Sequence, residues 1–389
     1  MTSPDPGWST VPSAAATVDV GGPRRTARSA LGRGLLLTLA VVVMGAGLLL
    51  VLLAIGSDTG VTGFVAGFVF SLVPVCVVLP ALMWLDRLEA EPVGQLLFAF
   101  GWGALVATSI ALVVNTYSMT VLTAHGGDVS MTGVVVAPWV EETLKGSAVL
   151  VILLWRRQEF DGVVDGIVYA GLAGLGFAFT ENVLYLGRAL QEDGAAGLVV
   201  TFVLRCLFGP FAHPLFTMAT GIGLGIAAQT SRWSLRVLAP LAGLLVAVLL
   251  HGLWNLSTIA GLRGFVWVYV AVQVPIFVGA VGFAVWARSR EGRLIRQHLQ
   301  VYVASGWFTP AEAQMLGSTS ERRRARAWAG QIAGARGRKA MRGFQTAATE
   351  LAFARDRAIR TSSPHGGSDV ERELLREVTA QRYALLGSG

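Results

Sequence analysis

Glu141 and Glu142, with Lys145 three residues further on, interrupt the apolar segment 134–149. An ionisable side chain at the centre of a membrane helix costs about 2.5–3.5 kcal/mol on insertion scales, so three in one stretch need partners, a water-filled cavity or both. Polar residues recur in the apolar stretches that follow: Glu181-Asn182, Arg205, His213 between Pro210 and Pro214, and His251 with Asn255 one helical turn away on the same face. Such a set can do specific chemistry. A glutamate can take a proton from water and return it to a leaving amine, and histidine or asparagine donors can stabilise an oxyanion. Histidines with a glutamate can also hold a metal that acidifies water. No HExxH sequence occurs, which excludes the zincin helix.

The elements that must position these residues are membrane helices. The chain is 53% hydrophobic and only 14% charged, a balance that excludes a soluble globular protein, and its apolar runs of about 20 residues are long enough to span a bilayer. The run 35–55 exceeds a signal-peptide core and reads as a first span. Seven more follow at about 61–85, 95–116, 131–155, 162–187, 197–228, 237–259 and 264–287, the sixth kinked or broken by Pro210 and Pro214. Lys145 lies one turn from both glutamates, and Pro138 weakens the helix just upstream. The fold class is therefore all-α: a polytopic helix bundle of about eight transmembrane helices with a cytoplasmic helical C-terminal tail. Arg87, Arg156, Arg157, Arg232, Arg236, Arg288 and Arg290 fall on one side, and only Arg188 and Arg263 on the other. By the positive-inside rule both termini are cytoplasmic. Counted from the opposite ends at 1.5 Å per residue, Glu142 and His213 lie roughly 16–24 Å deep and Glu181 and His251 roughly 9–12 Å deep, compatible with one cavity. The glycines Gly171, Gly174 and Gly176 allow close helix approach, whether for packing alone or to enclose a polar site.

Three regions result. Residues 1–32, rich in Pro, Ala, Ser, Gly and Thr, form a disordered cytoplasmic arm; 33–287 form the transmembrane domain; 288–389 form a basic helical tail with 18 Lys+Arg against 9 Asp+Glu. Thr309-Pro310-Ala311-Glu312 reads as a helix start, with Thr as N-cap and Pro at the first position. The net charge of +7 belongs to topology and to contact with anionic lipid, and no nucleic-acid reader motif accompanies it. Cys76 and Cys206 both fall in apolar spans and read as small buried hydrophobes.

Four ordered motifs resemble the PrsW family of intramembrane proteases, within a wider group that includes the CAAX prenyl proteases. They are Glu141-Glu142-x-x-Lys145, Asp165-Gly166…Gly176-Phe177-x-x-x-Glu181-Asn182, His213-Pro214-x-Phe216-Thr217 and His251-x-x-Trp254-Asn255, with Asp86-Arg87-Leu88-Glu89-Ala90-Glu91-Pro92 ahead of the third span. The likeness covers about 86–255. It implies a membrane-embedded endopeptidase of the bacterial-type plasma membrane that hydrolyses a membrane-anchored protein near the extracytoplasmic side, in the manner of site-one cleavage of an anti-sigma factor. Carried over, it makes Glu141, Glu142, Glu181, His213 and His251 the catalytic candidates, with Glu141 or Glu142 as general base. Lys145, Asp165, Asn182 and Asn255 become supporting residues. A divalent metal, zinc first, would rest on His213, His251 and Glu181; a metal-free glutamate mechanism stays open beside it. The alternative of another class is a multi-pass transporter or proton-coupled channel using the same acids and histidines as a relay. No repeat relates the two halves as transporter folds often require.

Overall fold

A computed structural model describes residues 28–88, 91–157, 160–361 and 366–386. The arm expected over 1–32 lies outside the described residues as far as residue 27. Described secondary structure is helical, with no strand among the described residues, and the chain divides into two compact units.

The first unit holds the described residues of Thr26–Leu85 and Glu91–Ala284. Its helices in chain order are α1 (Arg28–Leu85), α2 (Val93–Gly101), α3 (Thr108–Ala124), α4 (Ala137–Trp155), α5 (Val163–Phe202), α6 (Ala212–Gln229), α7 (Trp233–Ile259), α8 (Gly261–Val268) and the start of α9 (Val274–Ala304). Among the described residues, five helical stretches are long and apolar enough to cross a membrane: Thr38–Leu85, Val93–Ala124, Val163–Gln229, Trp233–Ile259 and Gly261–Ala304. Two contain a break at a residue only glycine adopts cheaply, Gly60 (φ 59°) in α1 and Gly194 (φ 65°) in α5. The 19 residues of α4 reach about 28 Å at 1.5 Å per residue, but Glu141, Glu142 and Lys145 concentrate three ionisable groups within five residues of it.

Large apolar side chains cover the outside of this unit; Leu53, Leu154 and Trp267 are 61%, 72% and 75% exposed. A surface of that kind belongs against lipid, since a soluble protein does not leave so much apolar area in water. Cys206 is buried, whereas Cys76 sits on the exposed side of α1, where a thiol is as compatible with hydrocarbon as with a core. The middle of the unit is α5, almost continuously buried from Val164 to Gly187. It packs against α1, α6 and the segment around α2. Small residues permit this. A Cβ on Gly174 would stand 2.7 Å from the His213 carbonyl oxygen, so glycine there lets α6 bring its histidine down onto α5.

Four π-helical turns interrupt the described helices: π1 (Trp102–Ala107), π2 (Thr132–Val136), π3 (Val203–Phe208) and π4 (Tyr269–Gln273). Such turns admit one extra residue and concentrate at functional sites. π2 runs directly into α4, whose second residue is Pro138. The interruption expected from Pro210 falls between π3 and α6, over residues 209–211.

The second unit comprises the described residues of Asp86–Ala90 and Val285–Gly389. It contains the end of α9, α10 (Pro310–Leu316), α11 (Thr319–Thr361, broken at Gly334) and α12 (Gly366–Leu386). Ile295, Leu299, Phe308, Met315, Phe344 and Leu351 form part of an apolar core of its own. α10 starts as the sequence predicts: Thr309 Oγ1 accepts from Glu312 N at 3.1 Å and Glu312 returns the bond to Thr309 N at 2.7 Å. Two arginines of the expected lipid-facing tail are instead buried. Arg382 pairs with Glu312 at 2.8 Å, and Arg322 donates to the Leu88 and Leu316 carbonyls and to Thr349. Guanidinium groups with that many acceptors serve as internal hydrogen-bond hubs.

Candidate active site

α4 carries Glu141 and Glu142 about 100° apart on its circumference, and the two meet different neighbours. Glu142 is fully buried and fully engaged. Its Oε1 accepts from Lys145 Nζ at 2.5 Å and from His251 Nδ1 at 2.9 Å, and its Oε2 accepts from Thr217 Oγ1 at 2.8 Å. Glu141 accepts from Asn115 Nδ2 at 3.2 Å through Oε1, while its Oε2 is buried with no hydrogen-bond partner among the described residues. Lys145 Nζ lies 3.8 Å from that oxygen and His251 Nε2 lies 3.7 Å from it.

Lys145 has no exposed surface. Beyond Glu142 it reaches His213 Nδ1 at 3.2 Å and stands 4.3 Å from the centre of the Phe177 ring. An ammonium can only donate, so His213 Nδ1 accepts and the ring proton sits on Nε2. There Glu181 Oε2 accepts it at 3.0 Å. Glu181 also pairs with Arg205, whose Nε donates to Asn182 Oδ1 at 2.7 Å and whose guanidinium lies 4.1 Å from the Tyr185 ring centre. The two histidine rings are 5.0 Å apart and nearly perpendicular, and Phe216 stacks on His251 at 5.4 Å.

The fold thus gathers Glu141, Glu142, Lys145, Glu181, Asn182, His213 and His251 from α4, α5, α6 and α7. It uses two of the expected supporting residues elsewhere. Asp165 caps the start of α5, accepting from Asp161 N at 2.5 Å and Gly162 N at 3.0 Å. Asn255 donates to the Gly133 carbonyl at 2.7 Å and so answers an acceptor in the irregular π2 turn. Three residues without an expected role hold the site: Asn115 on α3, Thr217 on α6 and Arg205 in π3. Each left a trace. Asn115 and Arg205 are polar in apolar spans, and Thr217 lies one turn beyond His213.

Whether these residues suit a metal can be judged from their chemistry. His251 donates through Nδ1 to Glu142, which leaves the Nε2 lone pair facing Glu141 Oε2. Two electron-pair donors 3.7 Å apart in buried surroundings need a proton or a cation between them. Ligand atoms around a tetrahedral zinc stand about 3.3 Å apart, given bonds of 2.0–2.1 Å. One ligand atom each from Glu141, His213 and His251 lies within 4.8 Å of the others. Charge agrees: among the described residues the three carboxylates pair with Lys145 and Arg205 as permanent cations, leaving one negative charge unanswered. The donor set of Glu141, His213 and His251 fits a divalent cation once His213 gives up its Nε2 proton, since Lys145 occupies Nδ1 and only Nε2 can then offer a lone pair; Glu181, which Arg205 holds, lies outside that group of three. His251, oriented through its second nitrogen by Glu142, repeats the carboxylate–histidine arrangement that supports metal ligands.

Known proteins resemble this chain over the segment that holds the cluster. The family model described as PrsW family intramembrane metalloprotease matches residues 91–280. Protease PrsW of Oceanobacillus iheyensis is 32% identical over 133 residues, covering 34% of this chain and 57% of that protein. Its namesake in Geobacillus kaustophilus is 29% identical over 52% of this chain and 79% of its own length. That of Bacillus subtilis is 27% identical over 54% of this chain and 89% of its own length. No solved structure matches. The matched segment contains every residue of the polar cluster, from Asn115 to His251, and over it the chain is similar to the PrsW family of intramembrane metalloproteases.

Proposed function

We propose that this protein hydrolyses a peptide bond of a membrane-anchored protein near the extracytoplasmic side of the bilayer, an anti-sigma factor being the first substrate to test. The observation that carries the reading is the pair of facing acceptors, Glu141 Oε2 and His251 Nε2, 3.7 Å apart and buried. Their lone pairs converge where a hydrolytic water or ion would sit. The unit crosses the membrane eight times with both termini cytoplasmic, a reading supported by the breaks at Gly60 and Gly194 and by the arginine asymmetry.

A divalent ion held by Glu141, His213 and His251 would acidify a bound water and polarise the scissile carbonyl. The protein's own residues do the rest. Glu142, with both oxygens engaged, is a poor proton acceptor; it fixes the His251 ring and, with Thr217, locks α4 to α6 and α7. Lys145 balances its charge. Glu181 is the most accessible of the three acids, its side chain 16% exposed. It takes the proton from the attacking water and hands it to the departing amine, while Arg205 holds the carboxylate toward the histidines.

The test is cleavage of a membrane-anchored reporter by the purified protein, with metal analysis and assay before and after chelation. Glu141→Gln, His213→Ala and His251→Ala should each lower kcat/KM by roughly 10²–10³-fold or more. Chelation should abolish activity and one added equivalent of zinc should restore it. Normal cleavage by both histidine variants would refute the assignment, and activity in metal-free protein would turn the reading to glutamate chemistry.

A further inference from the structure

A recess lies on the same helices as the polar cluster. It is a cavity of about 270 Å³ bounded by π3, the start of α6, the middle of α7, π4 and the start of α9, and its walls include Phe208, Ala212, Phe216, Trp254, Gln273 and Phe277. A smaller cavity of about 110 Å³ shares part of the wall and extends the recess between α6 and α9.

Size limits the occupant. The larger cavity equals about nine water volumes at ~30 Å³ each, whereas a helix with its side chains is about 10–12 Å across. One or two side chains fit; a folded segment does not. Position limits it further. Phe216 forms the inner wall and its ring stacks on His251 at 5.4 Å, and Ala212 directly precedes His213. The recess is therefore one aromatic layer from the proposed hydrolytic centre. Its rim includes Phe208, 45% exposed on the apolar outer surface, so an occupant can enter sideways from the lipid.

Two features favour a peptide over an acyl chain. Gln273 Oε1 is buried with no hydrogen-bond partner among the described residues, while its amide nitrogen lies 3.5 Å from Ser257 Oγ. A substrate unwound for hydrolysis carries backbone N–H groups that find no acceptor in hydrocarbon; an acyl chain carries none. In addition, two of the four π turns supply this wall, π3 through Phe208 and π4 through Tyr269 and Gln273. Turns of this kind break helical register, and they recur where a site needs a re-aimed side chain.

We propose that this recess is a specificity subsite: it takes a large apolar side chain of the Leu or Phe class flanking the bond to be cut, and the Gln273 side-chain carbonyl accepts a backbone N–H of the same segment. The proposal rests on the protease reading above. Ala212 and Phe277 set the depth of the pocket.

The experiment uses the full chain in lipid nanodiscs and a set of single-span reporter peptides. These carry Gly, Ala, Leu, Phe or Trp in turn at each position around the cleaved bond, with products identified by mass spectrometry. Wild type should prefer Leu or Phe over Ala at one position by roughly 10- to 100-fold in kcat/KM. Ala212→Phe, which fills the recess, should reduce that ratio at least tenfold at that position alone. Phe277→Ala, which enlarges it, should raise the use of Trp relative to Leu. A variant that merely folds poorly lowers all peptides together, so the ratio is the readout. An unchanged ratio in both variants, at whatever overall rate, overturns the subsite while leaving the protease standing. Cleavage of no peptide by wild type overturns the protease reading and the subsite with it.

Discussion

Replacing Lys145 by methionine tests the internal logic of the polar cluster. The ammonium has no exposed surface and is 2.5 Å from Glu142 Oε1, 3.2 Å from His213 Nδ1 and 3.8 Å from Glu141 Oε2. Methionine matches the length and keeps the contact with Phe177, so the change removes charge and donors with little loss of volume. Glu142 then keeps Thr217 and His251 but loses its only cation within hydrogen-bond distance. Breaking a buried pair by removing one partner costs about 3–5 kcal/mol, because the other charge stays buried. Glu142→Gln in the same protein removes the orphaned charge while an amide oxygen still accepts from Thr217 or His251. The double variant should therefore recover most of the loss, with a coupling energy of about 2–4 kcal/mol. The assay is a four-cornered cycle of equilibrium unfolding in mixed micelles, read by tryptophan fluorescence. Lys145→Met costing under 1 kcal/mol, or a double variant at the sum of the two singles, would refute the claim that Lys145 exists to hold Glu142 ionised. Neither the single nor the double variant should regain proteolysis, since both lose the Lys145 bond that sets the His213 tautomer.

Two further perturbations separate positioning from packing. Arg205→Leu should lower kcat/KM by roughly 10–100-fold by freeing Glu181, mostly through kcat; Arg205→Lys should restore part of it, because an ammonium can pair with Glu181 but cannot also present Nε to Asn182 in a fixed fork, and a variant equal to wild type would remove Arg205 from the site. Gly174→Ala sets a Cβ 2.7 Å from the His213 carbonyl oxygen and should cost about 1–3 kcal/mol together with activity, whereas Gly94→Ala, with nothing within 4 Å, should stay within about 0.5 kcal/mol in the same unfolding assay; equal costs would show that the close approach of α6 to α5 is unimportant.

Much of this protein is legible in the chain because the governing signals are local. Hydropathy marks the apolar helices without knowledge of their neighbours, since each must bury its own backbone polarity in lipid. The Thr309–Glu312 cap is written in four residues and forms as read. The cost of charge in hydrocarbon singled out Glu141, Glu142, Glu181, His213 and His251, and the helices do bring them together. What the chain left open was division of labour. Glu141 and Glu142 are neighbours of identical chemistry, and only the rotation of α4 against α3, α6 and α7 makes one a saturated acceptor and the other an acceptor with a free oxygen. The same packing gave Glu181 to Arg205 and set Glu141 beside the histidines. It also turned Asp165 to a helix cap and Asn255 to a stray carbonyl. In the C-terminal unit, Arg322 and Arg382 read as part of a basic tail facing anionic lipid until tertiary folding wrapped acceptors around them. Residue type and spacing determined which groups could react, since desolvation cost belongs to each side chain alone. Tertiary structure decided which lone pairs remain unspent, because a hydrogen bond between distant helices depends on how both are rotated and no single segment encodes that.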